Sequence, residues 1–183
     1  MKKLTLFFKI MFTLLLCMAT SNSLQGQAFV EADPFAYALS GHSLHTGLQS
    51  HGFRLQIGLF AAEIPDEIKD NDAFEVRQSG YGLKLDYYGT TTKGGFWGVE
   101  YGNITASYML KGSDNKINRG LNLFGVRAGY KWMLGKRFYI MPWIGLDKII
   151  NPSKKNLEIQ LAGETYQENE YIIFPTIHIG FDI

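Results

Sequence analysis

FGVRAGYKW, residues 124–132, alternates without a break: Phe124, Val126, Ala128, Tyr130 and Trp132 share one side of an extended chain, and Gly125, Arg127, Gly129 and Lys131 share the other. A period of two marks a strand with one apolar and one polar face. The same pattern recurs outward in both directions. In residues 52–60, Phe53, Leu55, Ile57 and Leu59 oppose Arg54, Gln56 and Gly58; in residues 80–88, Tyr81, Leu83, Leu85 and Tyr87 oppose Gly82, Lys84 and Asp86. Trp97, Val99 and Tyr101 oppose Gly98 and Glu100, and Phe138, Ile140, Pro142, Ile144 and Leu146 oppose Tyr139, Trp143, Gly145 and Asp147. Leu44, Thr46 and Leu48 face away from Ser43, His45 and Gly47.

A soluble sandwich also alternates, with its apolar face inward, so the polar face has to decide the fold. That face combines glycine with charges of both signs: Arg54, Lys84, Asp86, Glu100, Arg127, Lys131, Asp147 and Asp182. A solvated sheet gains nothing from glycine there. A narrow lumen crowded with long charged side chains needs small neighbours, which argues for an antiparallel transmembrane β-barrel, polar inside and apolar towards lipid.

Connections between these strands run short, long, short, long: 49–51, 61–73, 89–94, 111–119, 135–136 and 150–170. Outer-membrane barrels have short periplasmic turns and long outer loops. Tyr87, Trp97, Trp132 and Phe138 flank the short turns, Phe53 follows another, and Phe181 lies at the same level, as an aromatic girdle at the headgroup boundary requires.

The N-terminus sets the compartment. Lys2, Lys3 and Lys9 precede an apolar run, IMFTLLLCMA at 10–19, followed by small and polar residues. This is a secretory signal, too short for a helical span of about 20 residues, with cleavage expected after Ser23 or as late as residue 26. Residues 24–183 would form one barrel domain. Cys17, the only cysteine, falls in the signal, where bulky Leu16 before it does not suit lipidation, so no disulfide framework is available. The formal net charge of +1 argues against a nucleic-acid surface.

The last strand, IIFPTIHIGFDI at 172–183, places Ile173, Pro175, Ile177, Ile179, Phe181 and Ile183 on its apolar side. A closed barrel needs its terminal residues in the ladder. With this strand, residues 36–183 resemble the small outer-membrane β-barrel proteins of Gram-negative bacteria. The resemblance implies residence in the cell outer membrane, contact with bilayer and lipopolysaccharide, insertion by machinery that reads the C-terminal strand, and a monomer. It departs from the family at Ile183, where the usual terminal residue is aromatic; Phe181 stands two residues earlier. Seven strands are clear, and an even number is expected. The eighth lies in 27–34, or else in 156–166, which otherwise forms a hairpin arm projecting from the outer loop.

Eight strands leave an interior wide enough only for side chains, so the lumen charges Arg54, Lys84, Asp86, Glu100, Arg127, Lys131 and Asp147 should pair into a plug. This reading gives a closed barrel with long outer loops, in a structural or surface-interaction role. A small-solute pore is one alternative. A lipid A-modifying enzyme is the other, with His178, His45, Ser43 and Asp182 as candidates, since the first and last strands of a closed barrel are neighbours; Gly180 stands where a deacylase-like pattern needs serine. Among His42, His45 and His51, His42 and His45 point to opposite faces of a strand, and no Cys, Asp or Glu accompanies the three at ligand spacing, so no metal is expected. No phosphate loop or nucleophile elbow is present, and no catalytic residue or cofactor is assigned.

Overall fold

The computed structural model describes residues 26–150 and 157–183. The expected signal segment, with Cys17, lies outside the described residues. In chain order the elements are β1 (Gln27–Ala32), a short helix α1 (Pro34–Ala38), β2 (His42–Ser50), β3 (Phe53–Glu63), β4 (Phe74–Tyr87), β5 (Gly94–Leu110), β6 (Lys116–Met133), β7 (Phe138–Ile149), β8 (Glu158–Leu161), β9 (Glu164–Gln167) and β10 (Tyr171–Asp182). Eight of the strands close a barrel in the order β1-β10-β7-β6-β5-β4-β3-β2, every neighbouring pair antiparallel.

The eighth strand is β1. It closes the ring by pairing with both β2 and β10, so β2 is not the neighbour of the last strand. Segment 156–166 contributes β8 and β9, a separate two-stranded hairpin. Two expected outer loops shrink. β3 runs on to Glu63, and β6 begins at Lys116, so the 111–119 connection is only residues 111–115. Both differences have one cause: the strands continue beyond the lipid band. The β2–β3 turn, His51 and Gly52, has φ of 49° and 79°, the left-handed pair that matches strand twist in a two-residue hairpin.

Towards the short turns the pattern is lipid-facing. Leu85, Val126, Ile144 and Ile173 are exposed on the outer surface, while Lys84, Arg127, Trp143 and Thr176 are buried inside. The six expected girdle aromatics, Phe53, Tyr87, Trp97, Trp132, Phe138 and Phe181, are all exposed on the outside. They form a belt because their strands bring them together: Phe53 pairs with Tyr87, Tyr87 with Trp97, and Phe138 with Phe181.

Towards the outer end the two faces exchange chemistry. On β5 the apolar residues shift from Trp97, Val99 and Tyr101, facing out, to Ile104, Ala106 and Tyr108, facing in. On β6 they shift from Phe124 and Val126 to Leu121 and Leu123, and on β4 from Tyr81 to Val76 and Phe74. The outer surface there becomes Asn103, Thr105, Ser107 and Asn118, with Ser107 donating to Asn118 at 2.8 Å. A strand in lipid hides its polar side and one in water hides its apolar side. The exchange therefore marks where the wall leaves the membrane.

Candidate functional site

The lumen is built on cross-strand pairs of a long side chain with a glycine. His45 stands opposite Gly58, Asp86 opposite Gly98, Asp147 opposite Gly125, Trp143 opposite Gly129, and Tyr139 opposite Gly180. A Cβ on Gly58, Gly125 or Gly180 would come within 1.7, 1.8 and 2.2 Å of the facing side chain. The glycines of the polar face are thus the room into which the large polar groups lean.

Two clusters fill this space. The first centres on Glu31 of β1, which is 2 % exposed. Arg54 Nη2 lies 2.5 Å from Glu31 Oε2, His178 Nδ1 lies 2.8 Å from Oε1, the Tyr139 hydroxyl donates at 3.0 Å, and Gln56 donates to Oε1. The Arg54 guanidinium stacks 3.6 Å from the centroid of Phe29 and donates to the Tyr139 hydroxyl at 2.7 Å. Alongside, Lys131 Nζ meets Asp182 at 2.9 Å and Gln49 Oε1 at 3.1 Å, which ties β6 to β10 and β2.

The second cluster is looser. Arg127 sits 3.3 Å from Asp86 and 3.9 Å from Glu100, Lys84 sits 3.9 Å from Glu100, and both cations lie over the indole of Trp143, at 3.9 and 4.4 Å. Asp147 has no cation within ion-pair distance among the described residues, although its carboxylate is turned inward against Gly125. The structure thus gathers the seven lumen charges expected from the sequence and pairs six of them directly.

Glu31, Gln49, Gln56, Tyr139 and Trp143 complete the site. Gln56, Tyr139 and Trp143 were set on the polar face without a part in the charge network, Gln49 was expected in the 49–51 turn but is a buried residue of β2, and Glu31 was not singled out. Glu31 was missed because β1 has only six residues, too few for alternation to stand out; its signal was parity with Phe29. His45 and His178 do meet, rings stacked at 4.8 Å, but across β1 and beside Glu31. The Ser43 hydroxyl instead accepts from the Asp33 N–H at 3.2 Å. His42 and His51 are exposed elsewhere.

Above the charges the lumen ends in an apolar core of Phe74, Val76, Ile104, Tyr108, Leu121 and Leu123, which packs with Ile159 of β8 and Tyr166 of β9. The β8–β9 hairpin does not project, as the sequence reading allowed, but docks here, because its two apolar side chains find the inward-turned apolar wall. Asn71 donates to Thr165 O at 3.0 Å, the Gln167 N–H to Asp70 at 3.1 Å, and the Tyr108 hydroxyl to Glu168 at 2.5 Å. Burial raises the Glu168 pKa above the ordinary carboxylate value, partly offset by that hydrogen bond.

No family model matches the sequence, and no curated protein matches it significantly. Among solved structures the chain is similar to Neisserial surface protein A (NspA), at 12 % identity and a TM-score of 0.55, covering 86 % of this chain and 96 % of that one. It is also similar to a major outer membrane protein from Thermus thermophilus, at 12 % identity and a TM-score of 0.51, covering 86 % and 99 %. The fold is that of an eight-stranded outer-membrane β-barrel. Its apolar band and aromatic belt suit the barrel to the cell outer membrane.

Proposed function

We propose that this protein is an integral outer-membrane barrel that does not conduct: a rigid, salt-bridged body that presents its outer surface, in a structural or surface-interaction role. The observation that carries the reading is the double filling of the lumen, by the Glu31 and Arg127 clusters below and by the apolar core with its docked hairpin above. An ion crossing it would have to displace buried, paired charges and then an apolar plug, and eight strands give it no spare width. The barrel acts as a monomer in the lipopolysaccharide-bearing membrane. Its C-terminal strand, with alternating apolar residues to Ile183, supports insertion by the barrel-insertion machinery.

An enzymatic reading has one observation in its favour, the buried His178–Glu31 pair at 2.8 Å. What speaks against it is the company: Gly180 follows on the same face, and Arg54 shares the Glu31 carboxylate. Purified protein in planar bilayers is expected to give no stable conductance steps, and lipid A from expressing cells is expected to keep its acylation pattern. Large steady steps would overturn the closed lumen. A change in acyl number abolished by His178→Ala would overturn the non-enzymatic reading.

A further inference from the structure

Among the described residues, the wall of the barrel is not hydrogen-bonded all the way round. β1 pairs with β10 only from Phe29↔Asp182 to Ala32↔Ile179, whereas β7 pairs with β10 from Phe181 up to Tyr171. Above Ile179 the other edge of β10 has no strand partner among the described residues. The chain turns away there into α1, which lies between β10 on one side and β2 and β3 on the other.

Backbone parity shows what this edge exposes. Asp182 donates its N–H towards β7, to Arg137 O at 2.9 Å, and Ile183 donates towards β1, to Ala28 O at 2.8 Å. Alternation then sends the N–H groups of Tyr171, Ile173 and Ile177 into the seam, together with the carbonyls of these residues and of Pro175. The fourth position of that series is Pro175, which has no N–H, and the residue that would next pair with Ile177 in register is Pro34. Two prolines thus stand where the ladder stops.

The seam lies in lipid. Its outward neighbours Ile173, Ile177, Ile144 and Leu146 are apolar and exposed, and the first charged groups above are Lys148 and Glu170, paired at 3.2 Å. Unpaired donors at that depth are costly unless something accepts from them. Among the described residues, slender links hold α1 to its neighbours, the first to β10 and the second to β2. Thr176 donates to Asp33 at 2.7 Å, and the Tyr37 hydroxyl donates to Ser43 O at 2.9 Å. Phe174 faces inward against Trp143, with ring centroids 5.7 Å apart, yet remains 45 % exposed, while its inward neighbours Trp143 and Thr176 are 5 % exposed.

We propose that this seam between α1 and the outer half of β10 is a lipid-binding site that admits one acyl chain of an outer-leaflet lipid. The chain continues the lipid-facing band inward across Phe35, Tyr37 and Phe174. Its ester oxygens accept from the N–H groups at the outer end of the β10 edge, at Tyr171 and Ile173, which have no backbone partner on that side among the described residues. A lipid is the occupant because the opening is lateral, at hydrocarbon depth, and continuous with the surface that lipid already covers. Of the backbone groups on that edge, the N–H donors are ones that a lipid ester can satisfy.

The test uses full-length protein with Cys17→Ser, reconstituted in phosphatidylcholine vesicles, with nitroxide labels at Phe174→Cys, at Ile173→Cys as the lipid-facing control, and at Gln56→Cys as the lumen control. The 174 label is expected to show oxygen accessibility like that at 173 and low accessibility to a water-soluble nickel chelate. A second measurement needs no change at the seam: with Trp97→Phe and Trp132→Phe, the remaining Trp143 should lose emission in vesicles of brominated-chain phosphatidylcholine. A 174 label as inaccessible as that at 56, or one reached by nickel more than by oxygen, overturns the site, as does Trp143 emission that brominated chains leave unchanged.

Discussion

Replacing Glu31 with alanine removes the acceptor around which four strands meet in the lumen. Arg54, buried without exposure, loses its 2.5 Å carboxylate partner, and His178, Gln56 and Tyr139 lose an acceptor each. Breaking a buried ion pair from one side costs about 3–5 kcal/mol. The three further hydrogen bonds, at about 1 kcal/mol net each, would add to this on paper. They share one carboxylate, however, and Arg54 keeps its stack on Phe29 and its bond to Tyr139. A loss of about 4 kcal/mol is therefore expected, roughly a thousandfold in the unfolding equilibrium. Urea unfolding from phospholipid vesicles, followed by tryptophan emission and by the heat-dependent gel mobility of a closed barrel, measures it. Replacing both partners, Glu31→Leu with Arg54→Leu, should cost clearly less than Glu31→Ala, because neither charge is then left alone. If Glu31→Ala unfolds within about 1 kcal/mol of the parent, or the double variant is worse than the sum of the singles, the hub is not what holds the lumen.

Leu85→Arg or Val126→Arg, exposed to lipid in mid-strand, should each cost about 2–4 kcal/mol in the same assay, and a neutral outcome would mean that the barrel faces are inverted. Gly125→Ala puts a Cβ 1.8 Å from Asp147 Oδ1 and 2.6 Å from Leu146 O, so it should lower stability by about 1–3 kcal/mol through overpacking, whereas Gly135→Ala, with open space around it, should leave stability unchanged. The Glu168 pKa is raised in the docked hairpin, so the docked state holds its proton more tightly than the open one. Docking is then strongest below the ordinary glutamate range and weakens as pH rises through the raised value. Hydrogen-exchange protection of β8 and β9, corrected for intrinsic exchange, should fall across that window, and Glu168→Gln should flatten the trend.

Much of this molecule is legible before folding because a strand has a period of two. Alternation in FGVRAGYKW and its counterparts assigns each side chain to lipid or lumen without knowledge of any partner, and the rhythm of short and long connections orients the barrel. The exchange of faces is written in the sequence as well, although it was not among the expectations drawn from it. Apolar residues move from odd positions up to Tyr101 to even positions from Ile104, and the unbroken register through Gly102 and Asn103 shows that the change comes from a crossing of lipid into water and not from a bulge. The pairing was not legible. Which carboxylate meets Arg54 depends on barrel closure, which brings β1 and β10 side by side from opposite ends of the chain and sets Glu31, Arg54 and His178 around one point. Where the wall stays unpaired was equally hidden, since it follows from β1 ending at Ala32 while β10 continues to Tyr171. Alternation is local and is written residue by residue. Register and closure are properties of the whole ring, so only the tertiary structure decides which lumen charges are neighbours and where a strand edge is left open.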